Sequence, residues 1–166
     1  VWSGWKGFSM AISFKAKKWR MSGITGPLAC GNSTLGKVFL CEYPYEGQIL
    51  VDGKELQNMP QSWQTNIIGY LGHDPELIND SVENNVIMGE QKKTEDFLKM
   101  VCMAEEVNEM DDGLQTLVGN GGVRLSGGQG KRLALARTLC HKKPVLVLDD
   151  PFSALDKSTE RQMFAN

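Results

Sequence analysis

Three stretches of the chain hold residues whose types and spacing suit phosphate chemistry. The first is Gly26-Pro27-Leu28-Ala29-Cys30-Gly31-Asn32-Ser33-Thr34. It fits the phosphate-binding loop G-x-x-x-x-G-K-[ST] except that Asn32 stands at the lysine position. In that loop, backbone N–H groups at a helix start surround the phosphates and the hydroxyl reaches magnesium. Gly26, Cys30, Gly31, Asn32, Ser33 and Thr34 are therefore candidate phosphate-binding residues, with Ser33 as a magnesium ligand. Alone, the loop fits an ordinary strand-to-helix turn equally well. The second stretch is Leu125-Ser126-Gly127-Gly128-Gln129. Adjacent glycines are poor helix formers, but at a helix start they expose N–H donors beside a serine hydroxyl and the positive end of the dipole. Ser126, Gly127, Gly128 and Gln129 thus form an anion-binding device. The third is Val145-Leu146-Val147-Leu148-Asp149-Asp150, an unbroken apolar run of the kind that suits a parallel strand buried on both faces, ending in two carboxylates.

These strings occur in the order and spacing of one family. Leu125 to Gln129, followed by Lys131-Arg132-Leu133-Ala134-Leu135-Ala136-Arg137, resembles the signature and helix of ABC-type transporter ATPases, of the exporter kind. Val145 to Asp150 resembles the family's Walker B strand, which assigns Asp149 to magnesium, directly or through water. The resemblance gives Asp150 the place of a glutamate that polarises the attacking water, one methylene shorter here. Ser153-Ala154-Leu155-Asp156 matches the D-loop, which crosses the interface between two such domains. Tyr70-Leu71-Gly72-His73-Asp74-Pro75 occupies the place of the Q-loop, with His73 for its glutamine. His73 is then either a catalytic group near the metal or water, or plain surface. Thr116 to Gly122 looks like the segment with which exporters sense their membrane helices.

The resemblance covers roughly residues 8 to 166. It implies an α/β fold: a P-loop NTPase core with an inserted helical subdomain and an N-terminal antiparallel β portion. Residues 1–166 are expected to be a single nucleotide-binding domain, with a helical and signature subdomain over about 80–140. ATP and Mg2+ are the implied cofactors. The implied partners are a second nucleotide-binding domain, in a head-to-tail dimer, and a transporter membrane domain. That places the chain in the cytoplasm, at the cytoplasmic face of a membrane. Two rivals remain: a regulatory domain that holds ATP without turning it over, and a soluble ABC-fold ATPase. Trp2, Trp5 or Phe8 would stack on adenine or pack in the core, and Trp19 stands where the family has a turn glycine. The sequence ends ten residues after Asp156, before the family's switch histidine, so an incomplete C-terminal end is expected, and with it and Asn32 impaired activity.

Alternating short strands and helices must position these residues. Ala11 to Phe14 and Met21 to Thr25 are expected strands, the second leading into Gly26-Pro27, with a helix from Ser33. Gln48 to Val51 runs into an Asp52-Gly53 turn, and Ile67 to Leu71 is a further strand. Between Asp80 and Gly113, Phe97, Met100, Val101, Ala104 and Val107 recur at helical spacing. A glycine-rich turn at 119–122 then precedes a helix opening near Ser126. The 41% apolar content is enough for one substantial core, and the formal net charge of -2 provides no global field for nucleic acid or anionic lipid. No apolar run approaches the ~18 residues that span a bilayer. Cys30, Cys41, Cys102 and Cys140 are scattered without a C-x-x-C pair, as reduced thiols would be.

Overall fold

The computed structural model describes residues 12–18, 20–27, 30–119, 121–153 and 155–165. The chain divides into two compact units, residues 1–30 and 31–166. In the first, residues 12–18 and 20–27 are exposed and carry no regular secondary structure. The strands expected at Ala11 to Phe14 and Met21 to Thr25 are therefore not formed, Ala11 itself lying outside the described residues. A strand is held by its ladder, and no ladder among the described residues includes this segment. Trp2, Trp5, Phe8 and Trp19 lie outside the described residues.

The second unit opens with helix α1, Asn32–Val38, as expected after the glycine-rich loop. Gly31 caps it at φ 98°, a left-handed conformation that costs glycine nothing for want of a Cβ. The buried residue of α1 is Gly36, where an added Cβ would lie 3.2 Å from Tyr70 Cε2 and 3.7 Å from Val147 Cγ1. The missing side chain lets the helix lie close over the two strands that carry Tyr70 and Val147. Strands β1, Leu50–Val51, and β2, Lys54–Glu55, form an antiparallel ribbon around Asp52-Gly53. Both turn residues have positive φ, 48° and 78°, matching the twist of a two-residue hairpin. Helix α2, Gln61–Ile67, starts after Pro60 and runs directly into strand β3, Ile68–Leu71. Ile67 accordingly belongs to the helix and not to the strand.

The helical subdomain begins with strand β4, Asp80–Ser81, and helices α3, Val82–Ile87, α4, Thr94–Met100, and α5, Ala104–Asn108. The apolar period at 97–107 is interrupted at Cys102, whose φ is 51°. Two short helices result, and Met100 turns outward at 43% exposure while Leu98 takes its place in the core. Strand β5, Leu117–Val118, returns antiparallel to β4, and helix α6, Gly127–Cys140, closes the subdomain. Val82, Val86, Leu98, Val101, Met103, Val107, Val118 and Leu133 are packed together and excluded from solvent. Each such side chain contributes about 1.5–3 kcal/mol on burial, so this cluster holds α6 rigidly against α3 and α4.

Strand β6, Val145–Leu148, pairs parallel with β3 in the register Ile68 to Val145 and Leu71 to Leu148. The apolar run is a parallel strand as expected, but it is half-buried and Leu148 is exposed, not covered on both faces. Among the described residues β3 is its one neighbour in the ladder. Helix α7, Lys157–Ala165, follows, and Asp156 caps it by accepting the N–H groups of Ser158 at 2.9 Å and Thr159 at 3.0 Å.

Candidate functional site

The β3–β6 pair delivers the candidate metal carboxylate. The Asp149 N–H donates to the Leu71 carbonyl at 2.8 Å, carrying the ladder one bond past the strand end. This fixes the Asp149 backbone, and its side chain is held from two sides. Ser33 Oγ, in the first turn of α1, donates to Asp149 Oδ1 at 3.1 Å. Tyr70 OH donates to Asp149 Oδ2 at 3.4 Å. Burial, and then the Asp149 charge, push the Tyr70 phenol up, so it remains a donor at neutral pH. Tyr70 was not singled out from sequence as a site residue. Its signal is register: it pairs with Val147, two positions before Asp149, and alternate strand residues share a face.

Asp150, the candidate water-orienting carboxylate, lies just beyond β6 with φ 52°, in the left-handed region that aspartate tolerates better than most residues. Its Oδ2 is 3.5 Å from His73 Nδ1, and His73 Nε2 is 4.0 Å from Asp74 Oδ1. The two candidate catalytic side chains therefore meet. Both are about half exposed, which leaves room for water beside them.

The phosphate-loop candidates divide between the two units. In the first, Gly26 is exposed and the Cys30 N–H closes a turn on the Pro27 carbonyl at 3.1 Å. Leu28 and Ala29 lie outside the described residues. In the second, Asn32 and Ser33 are exposed in the first turn of α1 and Thr34 is half-buried. Gly31 makes no side-chain cap and the first turn holds no acidic residue, an arrangement compatible with an anion at the turn's positive end. Ser33 and Asp149 offer oxygen atoms of the kind a hard cation such as magnesium would take. Among the described residues no cluster of three or more His, Cys, Asp or Glu side chains is disposed to hold a metal by protein ligands alone.

The glycine-rich signature forms a second group, on α6. Ser126 and Gln129 make a reciprocal capping box, in which Ser126 Oγ accepts from the Gln129 N–H at 3.2 Å and Gln129 Oε1 from the Ser126 N–H at 2.9 Å. The box leaves the Gly127 and Gly128 amides outside it, and space is open where a Gly127 Cβ would point. Gln129 Nε2 also donates to Glu106 Oε2 at 2.9 Å, and Arg132 reaches both oxygens of Glu106. Burial alone would raise the Glu106 carboxyl, but the Arg132 and Gln129 hydrogen bonds prevail and hold it below the ordinary range. The signature helix start is thereby locked to α5. The pairing of Glu106 with Arg132 is not legible in the sequence, because partners 26 residues apart meet only through the fold. Lys131 Nζ donates to Ser153 Oγ at 2.6 Å, linking the signature helix to the segment after β6.

The family model for ABC transporters matches residues 10–153. The chain is 37% identical over 142 residues to P-glycoprotein 14 of Caenorhabditis elegans, covering 82% of this chain and 11% of that protein. It is 38% identical over 148 residues to the mitochondrial iron-sulfur clusters transporter ATM1 of Yarrowia lipolytica, covering 86% and 21%. It is 33% identical over 160 residues to the ATP-dependent lipid A-core flippase of Escherichia coli K12, covering 93% and 28%. A solved structure of a bacterial Atm1-family ABC exporter with ATP bound superimposes with a TM-score of 0.77 at 32% identity, over 84% of this chain and 25% of that one. The chain thus spans between about a tenth and just over a quarter of the length of these relatives. A match of this extent, with a parallel strand pair carrying Asp149 to the hydroxyl of Ser33, leaves one assignment: the chain belongs to the ABC transporter family.

Proposed function

We propose that residues 1–166 act as one nucleotide-binding domain that binds MgATP and hydrolyses it to drive the membrane domain of an exporter. The observation that carries this reading is the hydrogen bond from Ser33 Oγ to Asp149 Oδ1, between residues 116 positions apart. It joins the phosphate-loop helix to the acidic strand end, as a shared magnesium site requires. A magnesium ion held by Ser33 and Asp149 would supply positive charge to offset that of the phosphates.

The chain's own residues then divide the work. Backbone N–H groups of Gly31 to Thr34, at the start of α1, bind the phosphates. Ser33 and Asp149 hold the ion, and Tyr70 steadies Asp149 from the other oxygen. Asp150 orients water and accepts its proton, while His73 at 3.5 Å steadies that carboxylate. Ser126, Gly127, Gly128 and Gln129 serve the site of a second domain packed head to tail, their amide dipoles stabilising transferred phosphoryl charge. In this arrangement the domain works at the cytoplasmic face of a membrane, attached to transmembrane helices, with no nucleic-acid partner. Thr116 to Gly122 would face those helices.

A second reading is favoured by the neutral side chain of Asn32 and the short reach of Asp150: a domain that holds ATP and turns it over slowly or not at all. Parallel measurement of MgATP binding and phosphate release separates the two. Binding with release supports the ATPase, binding without release supports the regulatory domain, and no binding removes both.

A further inference from the structure

We propose that Arg137 and Asn85 form a relay that ties the loop carrying His73 to the signature helix, making Arg137 a positioning residue for the site. The inference rests on the proposed nucleotide site for its functional meaning, but its geometry is independent of it. Asn85 lies on α3 with no exposed surface, yet its amide is fully used. Its Oδ1 accepts the Ile78 N–H at 3.0 Å, and its Nδ2 donates to the carbonyls of Ile78 at 3.0 Å, Ser81 at 3.0 Å and Asp80 at 3.3 Å. One buried side chain thus replaces a ladder for the backbone that leads from His73 into the helical subdomain.

Arg137 on α6 completes the arrangement. Its Nε donates to the Asn85 carbonyl at 2.7 Å, Nη2 to Asn85 Oδ1 at 2.7 Å, and Nη1 to the Glu76 carbonyl at 3.0 Å. The guanidinium is a rigid planar fork, so these three bonds fix the loop at Glu76 relative to α6 in distance and direction. On the loop's other side Gly119, at φ 97°, sits so close that an added Cβ would lie 2.4 Å from Asn79 Oδ1 and 3.2 Å from the Ile78 carbonyl. The segment from Glu76 to Asn79 is therefore gripped by α3, by α6 and by the 116–119 stretch together. A shift of α6, or of the segment at Gly119, cannot occur without moving the loop whose far end sets His73 against Asp150. Glu106 and Arg132 keep α6 a rigid lever at its other end.

Amide hydrogen exchange on the full chain tests the relay, with Arg137→Lys as the main variant because it keeps the charge and loses the fork. Without nucleotide, Arg137→Lys should speed exchange at 76–80 and 117–119 by at least about tenfold, the loss expected for a charge-assisted bond, while Leu133 to Ala136 exchange as before. Unchanged exchange in both loops, or an equal increase across α6 as well, overturns the relay. With MgATP, the parent chain should slow at 31–35 and 117–119 together. Arg137→Lys should keep the first slowing and lose the second, and retention of both also overturns the relay. Absence of slowing at 31–35 in the parent counts against the nucleotide site, and the nucleotide-free comparison then decides the relay alone. Asn85→Ser gives a second check, with the same two loops loosened.

Discussion

Replacing Asn32 by lysine should tighten MgATP binding, and the structure sets the scale. Asn32 is the first residue of α1, exposed and adjacent to Ser33, whose hydroxyl touches Asp149. A lysine ammonium there would lie beside the bound phosphates. At ~4 Å a pair of unit charges is worth about 4 kcal/mol at an effective dielectric of ~20 and about 1 kcal/mol in bulk water. Exposure of the position favours the lower half of that range, about 1–2 kcal/mol, or roughly a 5- to 30-fold lower Kd at ~1.4 kcal/mol per tenfold. Because the gain is coulombic and near the surface, it should shrink as salt rises from 0.05 to 0.5 M on the order of the screening expected there. Titration calorimetry of both forms at two salt concentrations is the assay. Phosphate release should rise less than the ~10²–10³ that a well-placed donor can supply, because Asp150 keeps its short reach. Equal affinity of the two forms, or a gain independent of salt, would refute the reasoning.

Three further outcomes follow from the packing. Gly36→Val should destabilise the domain by about 1–3 kcal/mol, since even a Cβ would meet the Tyr70 ring at 3.2 Å, and thermal melting with MgATP titration should show both Tm and affinity falling. Gly122→Ala should lower the melting temperature and loosen exchange at Leu117, because its Cβ would lie 2.1 Å from the Leu117 carbonyl oxygen, and an unchanged Tm would contradict the loop geometry. Glu106 should supply an acid-sensitive part of stability. Its folded carboxyl is held below the ordinary 4.5, so that part is present above about pH 4.5–5 and is lost as pH falls through the depressed value. Glu106→Gln should flatten that acid limb in denaturant melts taken at a series of pH values.

Much of the site was legible because backbone context announces it. Gly31 precedes α1, Ser126 caps α6 and Val145 to Leu148 form a parallel strand, since glycine placement, capping chemistry and β-branched runs are local properties. The contacts that organise the site are not local. Tyr70 reaches Asp149 across 79 residues, and Arg137 reaches Asn85 across 52, through pairings no single stretch encodes. Met100 illustrates the limit of periodicity: its spacing suits a core face, but α4 buries Thr94 and Leu98, and Met100, two residues on from Leu98, lies round the helix from that face and stays exposed. The N-terminal strands failed for a related reason. Alternation at 11–14 and 21–25 names strand-forming residues and not a partner, and no ladder forms there among the described residues.

The central claim is that Ser33 and Asp149 together make a magnesium–nucleotide site, and the magnesium dependence of ATP binding tests it most directly. Titrating ATP into the full chain with and without Mg2+, and repeating both with Asp149→Asn, isolates the ion's share. The account predicts that Mg2+ tightens ATP binding to the parent chain and that Asp149→Asn loses most of that gain while its metal-free binding stays within about twofold. Identical affinity with and without Mg2+ in the parent, or a full magnesium gain retained by Asp149→Asn, would contradict it.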